Sequence, residues 1–176
     1  RALYSGGTFC TEALLAWRGL GVEAWSNAPL DPARTLADAR TSREHAAVDL
    51  GDDEFTVGRP HPMIDPLPRI ERLAQEATDS SVAAIVLDVV IGHGAHPDPA
   101  GALVEPIRAA RAAAASQGRH LAVIAFVTGT ERDPQRLSAQ QATLRGAGAI
   151  VTESTTSAAQ LAGRIALAAA QAPARG

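Results

Sequence analysis

Short apolar runs alternate along the chain with segments in which apolar residues recur every three or four positions. The longest run, residues 82–91, is rich in β-branched side chains and passes directly into a polar loop at residues 92–98. Such runs are typical of strands covered by helices on both faces, whereas a spacing of three to four is typical of helices with one buried side. The alternation predicts βαβ units around a mostly parallel sheet, and therefore an α/β fold.

Four segments repeat the order strand, loop, helix. The predicted strands are residues 2–4, 82–91, 121–127 and 149–151, with shorter strands near 22–25 and 45–50. The first predicted helix follows the first strand and ends at about residue 17. Further helices are predicted over about 67–78, 100–116 and 134–146, and a last helix follows the strand at 149–151. The helix at 67–78 is expected to bury Leu67, Ile70, Leu73 and Ala77. The helix at 100–116 is expected to bury Leu103, Ile107 and Ala110, and the last helix Leu161, Ile165 and Ala168.

Residues 51–66 interrupt this rhythm with a long proline-rich loop. Loops of that length inside a compact domain are usually functional or disordered. Phe55, Met63 and Ile64 favour an ordered loop, because such apolar side chains need burial. Residues 52–54, all acidic, are expected to form a solvated turn.

Composition narrows the range of functions. The chain has 176 residues, a net charge of −3 and a pI near 5.9, which argues against nucleic-acid and membrane-surface binding. All sixteen basic residues are arginines, which excludes a P-loop lysine and a Schiff-base lysine in this chain. One cysteine cannot form an intramolecular disulfide, and a cytoplasmic location is expected. One domain over residues 1–172 is predicted, with a frayed tail at 173–176, as a piece of a longer polypeptide.

The loop after the longest strand offers the first candidate chemistry. His93, His96 and Asp98 form H-x-x-H-x-D, and Asp88 lies in the strand just before them. Imidazole and carboxylate groups suit general acid–base catalysis near neutral pH, and these four are the candidate catalytic residues. The alternatives are helix capping and hydrogen bonds to backbone carbonyls. No metal site is predicted, because the spacing lacks the fixed geometry of a metal motif.

A glycine-bearing turn after the first strand offers a second candidate site. Ser5, Gly6, Gly7 and Thr8 join strand to helix, where backbone N–H groups and the helix dipole favour an anion. The equally weighted alternative is a tight turn with Thr8 as the N-cap. Cys10, in the first turn of the helix, is interpreted as a buried small apolar residue.

Two further turns complete the candidate set. Arg59, His61 and Asp65 in the proline-rich loop bring a cation, a titratable ring and a carboxylate together, as a site or as an internally paired loop. Gly129 and Thr130 follow the strand at 121–127, where Thr130, Glu131 and Asp133 orient a substrate or cap the next helix. Ligands of open α/β sheets bind beyond the carboxyl ends of the strands. We therefore expect all four turns to meet at one edge of the sheet and form one pocket for an anionic ligand.

Four motifs in order resemble the FdrA family, acyl-CoA-synthetase-like proteins related to the alpha subunit of succinyl-CoA ligase. They are Y-S-G-G-T-F-C-T-E-A from residue 4, G-D-D-E-F-T-V-G-R-P-H-P-M-I-D-P from 51, D-V-V-I-G-H-G-A-H-P-D-P-A-G from 88 and G-T-E-R-D-P-Q from 129. The resemblance runs to about residue 165. It implies the second, flavodoxin-like domain of such proteins, a three-layer fold with about five strands. It also implies a preceding CoA-binding domain of the same protein and a possible beta-type subunit.

The resemblance also implies specific residues. Gly7, Thr8 and Glu12 match the S-G-T-x-x-x-E substrate-side turn of succinyl-CoA ligases, with Gly6 in place of the serine and Thr11 in place of a tyrosine. The G-H-A-G-A histidine that carries phosphate in those ligases has no counterpart in residues 128–144. Their E-I-G-G glutamate falls near Val90, and Asp88 is the closest acid.

Two classes of function follow from these expectations. The first is a ligase or transferase domain that binds a small carboxylate and an activated acyl, carbamoyl or phosphoryl group. In it Ser5 to Thr8 hold the anion, Arg59 neutralises charge and His93 or His96 moves a proton. CoA and nucleotide would then bind through other domains, and no cofactor is assigned to this chain. The second is a non-catalytic ligand-sensing or subunit-docking module. A receiver-like domain is a third reading, but such domains need a lysine that is absent here.

Overall fold

The computed structural model describes residues 1–4 and 6–171 of the protein. The strands are β1 (Ala2–Tyr4), β2 (Trp25–Ser26), β3 (Ala46–Asp49), β4 (Ala84–Val90), β5 (Ala122–Thr128) and β6 (Ile150–Thr152). They form one parallel sheet in the order β2-β3-β1-β4-β5-β6. The prediction of about five parallel strands is confirmed, and the sixth strand is the two-residue edge strand β2.

Helices cover both faces of the sheet. They are α1 (Gly7–Gly19), α2 (Asp53–Thr56), α3 (Leu67–Thr78), α4 (Pro99–Ser116), α5 (Leu137–Gly146) and α6 (Thr155–Gln171), with a 3-10 turn at Pro32–Arg34. α1 and α6 pack on one face, and α3, α4 and α5 on the other, which gives the expected three layers. In the described part of the chain, no helix combines the length and apolar character needed to cross a membrane.

The contact between α1 and α6 shows how an alanine-rich sequence builds a tight core. A Cβ added to Gly163 would lie 2.9 Å from Leu20 Cδ1 and 3.1 Å from Trp17 Cδ1, so the two helices approach at a residue without a side chain. Trp17 Nε1 donates to the carbonyl oxygen of Ala159 at 2.8 Å. The indole therefore spans the interface and satisfies its only polar atom there.

The buried face of α3 differs from the prediction because it carries charges. Leu73 and Ala77 are buried as predicted, but Leu67 is exposed. The rest of the buried surface comes from the charged residues Arg69, Arg72 and Glu76 and from Pro68. Arg72 and Glu76 pair at 2.9 Å one helical turn apart, and Glu76 also pairs with the Arg1 guanidinium at 2.9 Å. Buried charges persist in a fold only when paired in this way.

Three smaller expectations also need correction. Ile64 is half exposed, while Phe55 and Met63 of the same loop are partly buried. Ala168 is exposed, because α6 buries the stripe through Ala158 and Ala162 instead. The predicted tail at 173–176, together with residue 172, lies outside the described residues.

Candidate functional site

The carboxyl ends of the strands bring the four predicted turns to one edge of the sheet. Because all strands run parallel, the turns after β1, β4 and β5 and the loop after β3 all leave the sheet on the same side. Direct contacts join three of them. The His96 N–H donates to the Met63 carbonyl at 2.9 Å, and the Gly92 N–H donates to Gln135 Oε1 at 3.1 Å. The loop at 51–66 and the turns after β4 and β5 therefore form a connected rim.

The turn after β1 ends at Gly6, which is the N-cap of α1 and has an extended conformation. Glycine has no side chain to provide a cap hydrogen bond, and no side chain among the described residues accepts from the first N–H groups of α1. The predicted alternative, Thr8 as the N-cap, is wrong by two positions. Thr8 and Glu12 are both exposed on the first turns of α1. Ser5 lies outside the described residues.

Asp49, at the end of β3, is the residue of this edge that sequence reasoning missed. Its Oδ2 lies 3.1 Å from the position that a Cβ on Gly7 would occupy, so its carboxylate faces the start of α1. Oδ1 accepts the Gly51 N–H at 2.8 Å. Asn27 fixes the backbone of Asp49, because its side chain pairs with both the N–H and the carbonyl at 2.9 Å. A signal existed in the sequence: a carboxylate ends the apolar strand, two positions before Gly51.

Asp49 belongs to a row of side chains that crosses the sheet. It pairs in register with Tyr4 of β1, and Asp88 pairs with Phe126 of β5, with β1 and β4 adjacent. The Tyr4 side chain is fully buried, and its hydroxyl has no hydrogen-bond partner among the described residues. Burial raises the pKa of Tyr4 well above its usual value, and the neighbouring Cys10, Asp88 and Glu12 add to the shift. A neutral phenol thus lies between two carboxyl groups.

The charge environment raises the pKa of Asp49. Burial is the main cause, and the nearby carboxylates of Asp52 and Asp88 add to it. The Gly51 N–H and the His61 ring act in the opposite direction, because both stabilise the ionised carboxylate. His61 therefore lies close enough to Asp49 to affect its charge. This connects the histidine of the proline-rich loop with the start of α1.

Asp88 is fully buried in an ion pair. Arg69 donates to its Oδ1 at 2.8 Å and to the carbonyl of Pro62 at 3.2 Å. Asp88 and Arg69 line a small cavity of about 10 Å³ together with His96. Asp88, which was predicted to be catalytic, is thus bound by Arg69, and Arg69 also binds the loop that carries His61.

His61 and His96 are held in the same way by short turns. Each ring accepts, through Nδ1, the backbone N–H of the residue two positions later. The Met63 N–H lies 3.2 Å from His61 Nδ1, and the Asp98 N–H lies 3.1 Å from His96 Nδ1. An Nδ1 that accepts an N–H carries no proton, so in the neutral ring the proton is on Nε2. Two adjoining turns therefore carry imidazoles whose free nitrogen is a hydrogen-bond donor.

The other two candidate catalytic residues have different surroundings. His93 is exposed, and its ring makes no hydrogen bond within residues 1–4 and 6–171. Asp98 is the N-cap of α4, where its Oδ1 accepts the Gly101 N–H at 3.0 Å and the Gln140 side chain at 2.9 Å. Asp98 therefore caps a helix, which was the predicted alternative to a catalytic role. The carboxylate reaches the helix, and only the backbone of Asp98 reaches His96.

The turn after β5 is built around an acidic hydrogen-bond acceptor. Asp133 Oδ2 accepts both the N–H of Thr130 at 2.5 Å and its hydroxyl at 3.0 Å. Glu131 accepts the Ser138 N–H at 2.9 Å, inside the first turn of α5, and this bond lowers the pKa of Glu131. Of these acids only Glu131 reaches α5, so the prediction that Thr130 or Asp133 caps this helix is wrong, and the N-cap residue is Arg136. The turn itself requires Gly129, because a Cβ there would overlap the Ile91 side chain, with φ at +151°.

Arg59 is exposed on the loop that leads to His61. Its guanidinium has no ion-pair partner in the part of the chain that the structure describes. The neighbouring Asp65 caps the start of α3 by accepting the Leu67 N–H at 3.0 Å. The internally paired loop considered as an alternative is therefore not formed around Arg59.

The remaining candidates have structural surroundings. Cys10 is buried as predicted, and burial raises the pKa of its thiol to about 12. Residues 1–4 and 6–171 contain no group of three or more His, Cys, Asp or Glu side chains that could hold a metal ion. A cavity of about 350 Å³ opens at the amino ends of the strands, near His45 and His120, and no predicted site residue lines it.

Comparisons with known proteins agree with this architecture. The sequence model of the family described as CoA-ligase matches residues 3–165. The chain is also 45% identical over 162 residues to "Uncharacterized protein YahF" of Escherichia coli (strain K12). This match covers 92% of the chain and 32% of YahF, so the chain spans about a third of the length of that curated relative. The match of the family model over residues 3–165 shows that this chain belongs to the CoA-ligase family.

Proposed function

We propose that this domain binds a small carboxylate at the carboxyl edge of its sheet and transfers an activated acyl, carbamoyl or phosphoryl group. In this proposal it is the second domain of a larger, FdrA-type acyl-CoA-synthetase-like protein. Membership of the CoA-ligase family supports the ligase-like fold. Residues 128–144 contain no histidine that could carry phosphate. The group would therefore pass directly from donor to acceptor, without a phosphorylated intermediate on this domain.

The carboxylate would bind at the turn before α1. The N–H groups that follow Gly6 lack a side-chain cap, and the helix dipole adds a partial positive charge at the same point. Gly7 and Thr8 would supply these N–H groups, with Ser5 and Glu12 at either side of the turn. Arg59, which was predicted to neutralise the charge of the ligand, lines a separate cavity of about 260 Å³ beside Glu71 and Gln75 of α3, so it has no role in this proposal.

The observation that carries the proposal is the pair of adjoining histidine turns. His61 and His96 each present an Nε2–H, and their loops are joined by the hydrogen bond from His96 to Met63. Donors fixed in advance stabilise negative charge as it develops on an oxygen during group transfer. His96, or the exposed His93, would move the proton. Asp88 would act as a positioning residue through Arg69, and Asp98 through the turn that holds His96.

Cofactors and partners follow from the family and belong to the whole protein. CoA and a nucleotide would bind to an N-terminal CoA-binding domain and, where present, a beta-type subunit. This chain would supply the carboxylate site, and Gly129 and Thr130 would form its wall on the β5 side. No cofactor is assigned to the residues described above.

The test compares histidine variants in the full-length protein. We expect His96→Gln to fold normally and to lower turnover by at least about tenfold, the lower range for loss of a positioned acid–base group or donor. Turnover is measured with succinate, CoA and ATP, and separately with oxamate and carbamoyl phosphate. His120→Gln, at the opposite edge of the sheet, is the matched control. Unchanged turnover in both His96→Gln and His61→Gln would refute the roles of these residues.

Ligand binding is tested separately on the 176-residue chain. Succinate and oxamate are titrated while backbone amide signals are followed by NMR. We expect the largest shifts at Gly6, Gly7 and Thr8, and none at Gly163, which lies in the contact between α1 and α6. Binding without turnover in the full-length protein would instead indicate a ligand-sensing domain.

A further inference from the structure

We propose that Asp49 couples carboxylate binding at the Gly6–Gly7 turn to the uptake of one proton, so that the ligand binds as an acid–carboxylate pair with the Asp49 side chain. This inference rests on the proposed function, which assigns a carboxylate ligand to that turn. It adds a positioning and specificity residue that neither the motifs nor the family match assigned. It also predicts how binding depends on pH.

The geometry of Asp49 is the first argument. The side chain is 8% exposed, and its Oδ1 is already occupied by the Gly51 N–H at 2.8 Å. Its Oδ2 faces Gly7 and accepts no hydrogen bond from the described residues. Asn27 holds the backbone on both sides, so the carboxylate cannot easily turn away. An unused carboxylate oxygen is therefore fixed against the first turn of α1.

The absence of a side chain at position 7 is the second argument. A Cβ there would lie 3.1 Å from Oδ2, a separation closer than most Cβ contacts in proteins. Glycine thus permits the carboxylate of Asp49 to approach the N–H groups at the start of the helix. A ligand carboxylate that uses those N–H groups would lie directly beside Oδ2. Two carboxyl groups in direct contact cannot both remain ionised without a large cost in free energy, and such pairs share a proton.

The charges around Asp49 are the third argument. Asp52 and Asp88 face it with negative charge, the His61 ring lowers its pKa, and the start of α1 carries the positive end of the helix dipole. The Asp88 charge is partly compensated by Arg69. Cys10, on α1, is a neutral thiol whose own pKa is raised. Because the pKa of Asp49 is already raised in the free protein, protonation on ligand binding costs less here than at an exposed carboxylate.

The sign of the pH effect follows from this arrangement. The bound anion favours the protonated form of Asp49, so affinity is highest where Asp49 carries its proton and falls as the pH rises. For one proton taken up per ligand, the affinity falls by up to about tenfold per pH unit. Asp49→Asn removes the carboxylate but keeps a side chain of the same shape whose amide can donate to the ligand. The variant should bind at pH 7.5 as tightly as the wild type binds at pH 5.0.

The experiment is calorimetric titration of the 176-residue chain with oxamate, whose carboxylate stays ionised at pH 5.0, 6.0 and 7.5, the three values used. Each titration is repeated in two buffers of different ionisation enthalpy, which counts the protons taken up. The control is Asp52→Asn, which removes an exposed carboxylate three positions away and keeps its capping role at α2. We expect proton uptake and falling affinity with pH in the wild type and in Asp52→Asn, and neither in Asp49→Asn.

The outcomes separate this inference from the proposed function. Binding whose affinity is independent of pH overturns the role of Asp49 alone. A pH dependence that persists in Asp49→Asn overturns it as well. Failure of the wild type and of Asp49→Asn to bind oxamate at every pH overturns the carboxylate site itself, and the inference with it.

Discussion

The guanidinium of Arg69 lies 2.8 Å from the carboxylate of Asp88, and the two side chains are 5% and 0% exposed. Arg69 also donates to the carbonyl of Pro62, next to His61. One cation thus joins α3, the proline-rich loop and the strand that leads to the loop carrying His96. The histidine turns meet because this buried pair brings their supporting segments together.

We expect Arg69→Met to lower the free energy of unfolding by about 3–5 kcal/mol, because it leaves the Asp88 carboxylate buried without its cation. The free energy is measured by urea unfolding at pH 7, followed by circular dichroism. The control is Arg164→Met, on the exposed side of α6, with an expected change within about 0.5 kcal/mol. A loss below about 1 kcal/mol for Arg69→Met would contradict a structural role for the pair.

The capping role of Asp98 predicts a difference between two substitutions. Asp98→Ala should destabilise the protein by about 1 kcal/mol, whereas Asp98→Asn should cost only a few tenths, because asparagine also caps helices. Thermal unfolding of both variants measures the difference. Equal losses would show that the negative charge of Asp98, and not its hydrogen bond to Gly101, stabilises the start of α4.

Gly129 should tolerate no side chain. A Cβ would lie 2.1 Å from Ile91 Cγ1, and the positive φ is unfavourable for other residues. Gly129→Ala should therefore lower the free energy of unfolding by about 2 kcal/mol or more, through overpacking and strain. Gly146→Ala, near the end of α5 and with open space around it, is the control and should be neutral or stabilising. Wild-type stability in Gly129→Ala would mean that the turn after β5 can rearrange.

The pKa of Asp49 predicts a pH effect on stability that needs no ligand. Because its pKa is raised in the folded state, the folded protein binds a proton more tightly than the unfolded chain. The contribution of Asp49 to stability therefore becomes less favourable as the pH rises from its unfolded pKa through its folded pKa. Asp49→Asn removes this contribution, so its stability relative to the wild type should increase between pH 4 and 7. Urea unfolding across that interval measures it, and parallel curves for the two proteins would contradict the prediction.

Local patterns were sufficient for most of the fold. The helix predicted over 67–78 coincides with α3, the strand predicted around 82–91 contains β4, and the strand predicted at 121–127 differs from β5 by one residue at each end. These predictions rest on periodicity, which depends only on neighbouring residues. The start of α5 was placed about three residues too early, because the Thr130–Asp133 turn occupies the preceding residues. That turn depends on side-chain hydrogen bonds that no apolar pattern reports.

The candidate site was predicted less completely. The turns with Gly6, His61, His93 and Thr130 were placed correctly at one edge, since parallel strands end together, and their forming one anion pocket stays a prediction. The partner of each polar group was not predictable. Asp49 was overlooked, and Arg69 had no assigned role although it holds Asp88. Both act through contacts between residues far apart along the chain.

From the sequence alone, the alternation of strands and helices, the parallel sheet and the edge that carries the polar turns all follow, because burying apolar residues at fixed spacings leaves few other solutions. Only the folded structure decides which charges are buried and which remain free to meet a ligand. Arg69 and Arg59 are ten residues apart and chemically identical, yet one is buried against Asp88 and the other is exposed. The difference arises from desolvation, since a charge can leave water only where the fold supplies an opposite charge.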